Sequence, residues 1–220
     1  MAMDPKHLIA KRVALEIKPR TLVNLGIGLP TLVASYVPKD VLIAFQSENG
    51  IVGMGVRPPE GMETLYLTDA GGGFVTALPG AASLDSAVSF GLIRGGHLDV
   101  TVLGGLQVDS RGLLANWMVP GKMVPGMGGA MDLVTGARRV IIAMIHTAKG
   151  EPKIVETCTL PLTSIRPVSL IVTELAVIEP RPEGLVLRET APGVSTEQVV
   201  AATGCRLVIP ASVPDMPLAA

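Results

Sequence analysis

Short apolar runs that end in glycine or in polar residues recur along the chain, and their length is typical of buried strands. The runs that predict strands are Thr21–Leu25, Val41–Gln46, Leu98–Leu103, Arg139–Ile145 and Leu170–Glu174. Towards the end of the chain, Ala176–Ile178 and Leu185–Leu187 flank a proline-rich turn and predict a β-hairpin.

Helical spacing of apolar residues lies between these runs. Ile9, Val13 and Ile17 recur at every fourth position, which predicts an amphipathic helix within Asp4–Ile17. Further helices are predicted from Pro30, over Gly80–Ile93, near Ala130, and over Ser195–Thr203 with a capping box. Strands that alternate with helices are typical of an α/β domain. We therefore predict one domain over residues 1–220, with a mainly parallel open sheet flanked by helices.

The composition agrees with buried strands. Apolar residues make up 48 % of the 220 residues, charged residues 17 % and aromatic residues 3 %, which excludes a disordered chain. The net charge is −1, and the basic residues are scattered. We therefore expect no nucleic-acid or membrane partner. The low net charge does not exclude binding of a small anionic ligand, because such a site needs only local charge or backbone N–H groups.

No segment near the start of the chain resembles a signal peptide, because Met1–Arg20 is too charged. Thr21–Pro38 carries no charge, but its glycines and prolines would break a membrane-spanning helix. These features predict a cytoplasmic protein.

The cysteines and histidines indicate no metal site. Cys158 and Cys205 lie far apart and are expected to be reduced, buried thiols. His97 and His146 have no Cys or His partner at ligand spacing, so structural roles are expected for both.

Glycines follow the first predicted strand in Asn24-Leu25-Gly26-Ile27-Gly28. Gly26 and Gly28 permit close approach of the backbone to a ligand, and N–H groups at the start of the next helix can bind an anion or an oxyanion. Plain turn geometry explains the same pattern. The third glycine of a dinucleotide-binding motif is missing, so no NAD site is predicted.

Glu48 follows the second apolar strand, in Gln46-Ser47-Glu48-Asn49-Gly50. A carboxylate at a strand end can be a base, a metal ligand or a nucleophile, or it can be a solvated turn residue. A third glycine cluster, Gly126-Met127-Gly128-Gly129, precedes a predicted helix and again offers backbone donors. Each of these signals is weak alone.

Taken together, five segments resemble the β subunit of family I coenzyme A transferases, over about residues 11–205. They are Val23–Thr31, Gln46–Gly50, Ile93–Asp99, Leu114–Trp117 and Pro120–Leu133. The resemblance implies the CoA-transferase fold, which is related to that of sugar-phosphate isomerases and deaminases. It also implies ping-pong transfer through an acyl-glutamyl anhydride and a glutamyl-CoA thioester.

The resemblance also implies roles for individual residues. Glu48 corresponds to the nucleophile, and Asn24, Gly128 and Gly129 correspond to donors for the oxyanion. The residues expected to bind the coenzyme A substrate are Gly26, Gly28, Asn49, Asn116 and Lys122. No permanently bound cofactor is expected. A separate α subunit is implied as the partner, with α2β2 as one possible assembly.

At two positions the residue of this chain differs from the one found in many members of the family. Gly72 stands where several succinyl- and oxoadipate-type relatives have lysine, and Ile145 stands where many have glutamate. Acetate- and acetoacetate-type bacterial subunits also have glycine there, so Gly72 favours a short-chain acyl or 3-oxoacyl substrate, and the acyl groups considered are acetyl, acetoacetyl, butyryl and succinyl. Two alternatives are a non-catalytic ligand-sensing domain and a sugar-phosphate isomerase of related fold, and the complete motif set argues against both.

Overall fold

A ten-stranded sheet forms the centre of the computed structural model, which describes residues 3–38, 40–121 and 126–220. The helices are α1 Pro5–Ala14, α2 Ser86–Arg94, α3 Ala130–Gly136, α4 Thr196–Ala202 and the 3-10 helix Leu29–Ser35. The strands are β1 Leu22–Leu25, β2 Ala44–Ser47, β3 Ile51–Met54, β4 Ala77–Ser83, β5 Val100–Leu103, β6 Gln107–Asp109, β7 Leu114–Ala115, β8 Arg139–Ala143, β9 Thr147–Ala148, β10 Glu151–Pro152, β11 Ile154–Val155, β12 Leu170–Val172, β13 Ala176–Arg181, β14 Gly184–Thr190 and β15 Leu207–Val208.

The strand order of the main sheet is β15-β14-β13-β12-β8-β5-β1-β2-β3-β4. The five central strands, from β12 to β2, are mutually parallel. On one side, β3 and β4 add antiparallel strands, and on the other β13 and β14 form the expected hairpin. The predicted α/β fold with a mainly parallel central sheet is therefore confirmed.

Apolar side chains of the central strands point alternately to the two faces of the sheet. In β8, Val140 and Ile142 belong to the core beneath α2, α3 and α4. Ile141 and Ala143 belong to the core beneath α1 and the 3-10 helix. The sheet is covered on both faces, which explains why its central strands are almost uniformly apolar.

The predicted helix over Gly80–Ile93 is wrong in its first half. Residues Ala77–Ser83 form the edge strand β4, and the helix begins only at Ser86. Asp85 caps it, because its side chain accepts a hydrogen bond from the Val88 N–H at 2.9 Å. The pairing of β4 with β3 overrides the local helical spacing, and that pairing is not visible in the segment itself.

Other element ends agree with the sequence to within a few residues. Asp4 caps α1 by accepting the Lys6 N–H at 2.8 Å, and Ser195 with Gln198 forms the predicted capping box of α4. The helix expected after Pro30 is a 3-10 helix.

The parallel strands place the loops that follow β1, β2, β5, β8 and β12 at one edge of the sheet. This is the edge where open α/β sheets bind their ligands. Asn24 lies at the end of β1, and Glu48 directly follows β2.

Candidate active site

The Glu48 carboxylate is half-buried at this edge of the sheet. The side-chain amide of Asn24 donates a hydrogen bond to Glu48 Oε2 at 3.2 Å. Asn24 itself is completely buried. Asn24 lies in β1 and Glu48 directly follows the adjacent parallel strand β2, in which Gln46 pairs with Asn24. The structure therefore brings together two residues that the sequence singled out separately.

The second glycine loop also reaches Glu48. A Cβ atom built on Gly129 would lie 3.1 Å from both Cγ and Oε1 of Glu48, closer than nearly all side-chain contacts. Gly129 lies immediately before α3, and Gly128 has a left-handed φ of +52°. Glycine at 129 therefore lets the loop backbone pass against the carboxylate.

The first glycine loop has a different local role from the one expected. The Gly26 N–H is not free to bind an anion, because it donates to Val102 O at 2.8 Å. A Cβ at Gly26 would lie 3.2 Å from the same oxygen, so glycine is needed for packing against β5. Gly28 is exposed and has a φ of +88°.

Asn49 and Asn116, both expected to contact coenzyme A, hold loops in place. Asn49 Nδ2 donates to Thr68 O at 2.7 Å. Asn116 Nδ2 donates to Gly104 O at 3.1 Å, and its Oδ1 accepts from the Thr163 hydroxyl at 2.7 Å. Lys122, the remaining candidate, lies outside the described residues.

The turn that contains Gly72 lies beside the nucleophile segment. The Ala70 N–H donates to the hydroxyl of Ser47 at 2.9 Å, and a Cβ on Gly71 would lie 3.1 Å from Ile27. Gly72 has a φ of +80°, so glycine there suits the tight turn.

The second departure from relatives, Ile145, packs against the apolar core under α1. At the next residue, the His146 N–H donates to Glu174 Oε2 at 2.8 Å, at the end of the neighbouring strand β12. The His146 ring is fully buried. Its Nδ1 and Nε2 lie 2.9 Å and 3.0 Å from the hydroxyls of Thr173 and Thr203. These partners agree with the structural role expected for His146.

Burial, with a smaller contribution from the charge of Lys153, lowers the pKa of His146 to about 4 from its ordinary value of 6.5. The unfolded chain therefore binds a proton at this residue between pH 6.5 and about 4, and the folded chain does not. We expect the stabilising contribution to be complete above pH 6.5 and lost as the pH falls to 4. The loss amounts to about 3 kcal/mol.

Denaturant unfolding of wild type and His146→Asn at several pH values measures this contribution. The stability difference between the two proteins should shrink as the pH falls from 6.5 to 4. A constant difference for His146→Asn would contradict a buried neutral ring.

The cysteines take no part in the site. Burial raises the pKa of Cys158 and of Cys205 to about 11, so both are protonated thiols near neutral pH. Among residues 3–38, 40–121 and 126–220, no group of three His, Cys, Asp or Glu side chains is arranged to hold a metal ion. In the same ranges, no helix has the length and apolar character needed to cross a bilayer.

Three buried polar residues, two beside Asn24 and one behind Gln46, were not predicted from the sequence. They are Gln46 in β2, Thr101 in β5 and Ser89 in α2, all at most 1 % exposed. A sequence signal existed for Gln46 and Thr101, since each is a polar residue within an otherwise apolar strand. Ser89 gave no signal, because serine is common on helices.

The fold and this site place the chain among the α/β proteins that bind ligands at the edge of a parallel sheet. Many of these proteins are enzymes. Residues 6–202 match the coenzyme A transferase family. The chain belongs to this family, as an enzyme subunit of the β type. This membership argues against the sensor and sugar-phosphate isomerase alternatives.

Similar curated proteins are components of transferases. The β subunit of the acetate CoA-transferase of Escherichia coli K12 is 55 % identical over 210 residues, which are 95 % of this chain and 96 % of that protein. The matching subunit of the succinyl-CoA:3-ketoacid coenzyme A transferase of Helicobacter pylori (strain 26695) is 50 % identical, over 88 % of this chain and 94 % of that protein.

Solved structures confirm the fold. An acyl-CoA transferase from Escherichia coli O157:H7 superimposes with a TM-score of 0.79 at 23 % identity, over 99 % of this chain and 44 % of the other. This chain thus spans less than half of that protein. Glutaconate CoA-transferase of Acidaminococcus fermentans gives a TM-score of 0.69 at 21 % identity, over 97 % of this chain and 91 % of that one. A decarboxylase, AibA/AibB, shares the fold with a TM-score of 0.71 at 17 % identity, over 99 % of this chain and 90 % of the other, so the fold alone does not define the reaction.

Proposed function

We propose that this chain is the β subunit of a CoA-transferase that uses Glu48 as a covalent nucleophile. The enzyme moves CoA between a short-chain acyl- or 3-oxoacyl-CoA and a free carboxylic acid. The contact that carries the proposal is the 3.2 Å hydrogen bond from the Asn24 amide to the half-buried Glu48 carboxylate. The acyl-CoA is a substrate, and no permanently bound cofactor takes part.

In the first half of the reaction, the Glu48 carboxylate attacks the thioester carbonyl of the acyl-CoA. The tetrahedral intermediate expels the CoA thiolate and leaves an acyl-glutamyl anhydride. The thiolate then attacks the glutamyl carbonyl of this anhydride. Glutamyl-CoA forms, the first acid leaves as its carboxylate, and no proton is consumed. The activation of the original thioester is kept first in the anhydride and then in glutamyl-CoA, so no ATP is required.

The second half runs the same steps in reverse with a new acid. Its carboxylate attacks the glutamyl-CoA thioester, forms an anhydride and expels the thiolate. The thiolate then attacks the new acyl carbonyl, which releases acyl-CoA and restores the Glu48 carboxylate. Charge and atoms balance over the cycle.

Each step passes through an oxyanion that needs donors aimed at the developing charge. The amide of Asn24 and the backbone N–H groups of Gly128 and Gly129 are the proposed donors. Their support is the 3.2 Å contact of Asn24 and the close passage of Gly129 along Glu48. Gly28 and Lys122 remain the proposed contacts for coenzyme A, whereas Gly26, Asn49 and Asn116 are proposed to shape the site through their contacts to Val102, Thr68 and Gly104.

The acids we propose are acetate and acetoacetate, with butyrate and succinate as further members of the same class. The named relatives, components of an acetate CoA-transferase and of a succinyl-CoA:3-ketoacid transferase, support this choice. The small turn at Gly72, which carries no side chain beside the site, agrees with short acyl groups.

The proposed partner is a separate α subunit, since similar bacterial proteins are named as the β component of a transferase. Ile27, Leu65 and Tyr66 are exposed by 71 %, 83 % and 95 %. Ile27 is in the loop after β1, and the other two lie in the connection that also contacts Ser47 and Asn49 through its backbone. A partner that covers these side chains would keep water away from the anhydride.

Borohydride trapping tests the proposal. The chain is co-purified with its α subunit, incubated with acetoacetyl-CoA and reduced, and the tryptic peptides are analysed by mass spectrometry. We expect the Glu48 side chain to be converted to a primary alcohol, with parallel loss of transfer. In the isolated chain, Glu48 should stay unreduced. If Glu48 stayed unmodified in a treated complex that is active in transfer, the mechanism would be overturned. If Glu48 were reduced in the isolated chain, the role of the partner would be overturned.

A further inference from the structure

A buried chain of polar groups connects helix α2 to the nucleophile. The hydroxyl of Ser89 accepts a hydrogen bond from Gln46 Nε2 at 3.0 Å. Gln46 Oε1 in turn accepts from Asn24 Nδ2 at 3.0 Å, and Asn24 Nδ2 also donates to Glu48 Oε2 at 3.2 Å. Ser89 and Asn24 are 0 % exposed and Gln46 is 1 % exposed. Water is therefore excluded from the contacts among Ser89, Gln46 and Asn24.

The hydrogen bonds allow only one orientation of each side-chain amide. With its oxygen towards Asn24, Gln46 directs its amide nitrogen to the Ser89 hydroxyl, which accepts in this arrangement. A rotated Gln46 amide would place an N–H group against the Asn24 N–H groups. Asn24 must likewise present its nitrogen to Glu48, because its oxygen would repel the carboxylate. The orientation of one amide thus determines that of the next.

The neighbouring strands β2 and β5 support this orientation of the Asn24 amide from both sides. Asn24 pairs with Gln46 in β2 and with Thr101 in β5, so the three side chains project from one face. The Thr101 hydroxyl lies 3.4 Å from Asn24 Oδ1 and can donate to it, and the Gln46 main-chain oxygen accepts from Asn24 Nδ2 at 3.2 Å.

We propose that Gln46, held by Ser89, is a positioning residue that keeps the Asn24 amide turned with its N–H towards Glu48. This inference rests on the proposed function, in which Asn24 stabilises charge at the nucleophile. Gln46 and Ser89 do not touch the reacting atoms. They act through Asn24, which must stay in place while charge moves between Glu48 and the substrate.

Gln46→Met keeps the length of the side chain and removes both hydrogen bonds. In the complex with the α subunit we expect kcat to fall about tenfold, with KM changed by less than about twofold. Ser89→Ala should lower kcat about threefold, because Gln46 is then free to rotate. In an Asn24→Ala background neither substitution should lower kcat further, since the residue through which they act is gone.

Ser169→Ala is the matched control. Its hydroxyl accepts the Val140 N–H at 3.0 Å on the same sheet, away from Glu48. It should reduce the free energy of unfolding without changing kcat. Equal, additive losses for Gln46→Met with and without Asn24 would overturn the positioning role.

A second measurement does not depend on transfer activity. The side-chain amide of Asn24 can be followed by NMR in the isolated, isotope-labelled chain. Both Gln46→Met and Ser89→Ala should shift its signals and speed its hydrogen exchange at least about tenfold, whereas Ser169→Ala should not. Unchanged Asn24 signals in both variants would overturn the proposal. If Glu48→Gln proved active while the Asn24 signals shifted, the proposed function would fail and the contact from Gln46 would stand.

Discussion

Glu48→Gln is expected to reduce CoA transfer by about 10⁴-fold or more, because an amide cannot form the anhydride. The substitution should leave the fold intact. The glutamine oxygen can still accept the Asn24 N–H that now lies 3.2 Å from Glu48 Oε2, and the residue is only half-buried. Initial transfer rates of the complex with its α subunit measure the effect, and circular dichroism checks folding.

Two further variants make this test specific. Glu48→Asp keeps the charge but withdraws the carboxylate by one methylene, so transfer should fall by about 10²-fold or more. Glu183→Gln, at an exposed site in the turn between β13 and β14, should retain the wild-type rate. A Glu48→Gln complex with more than a tenth of the wild-type activity would exclude Glu48 as the nucleophile.

Gly129→Ala is expected to lower transfer by about 10- to 100-fold with little loss of stability. The new methyl group would lie 3.1 Å from Cγ and Oε1 of Glu48, so the carboxylate would have to move. The backbone itself accepts alanine, because φ at Gly129 is −81°. Transfer kinetics and thermal unfolding of the same preparation separate the two effects.

Gly91→Ala is the control for this substitution. Gly91 lies within α2, and an added Cβ would meet no atom within 4 Å. Alanine there should stabilise the protein by about 0.5–1 kcal/mol and leave transfer unchanged. If Gly129→Ala transferred CoA at the wild-type rate, the glycine loop would not lie against the nucleophile in the working enzyme.

Local patterns located most of the elements that build the site. The apolar run before Leu25 and the run before Ser47 correspond to β1 and β2, because buried parallel strands need continuous apolar residues. The helical spacing over Gly80–Ile93 was misleading for a physical reason. Residues Ala77–Ser83 pair with β3, and such pairing depends on a distant segment rather than on the spacing of the residues themselves.

The amino-acid sequence alone determined the α/β class, the position of Glu48 after an apolar strand, and a set of motifs that indicated the transferase family. These properties depend on neighbouring residues or on motif order along the chain. Only the tertiary structure placed Gln46 and Thr101 on either side of Asn24, and Ser89 behind Gln46. Those residues are far apart in the chain. The register of parallel strands and the packing of α2 bring them together, and neither is encoded in any one segment.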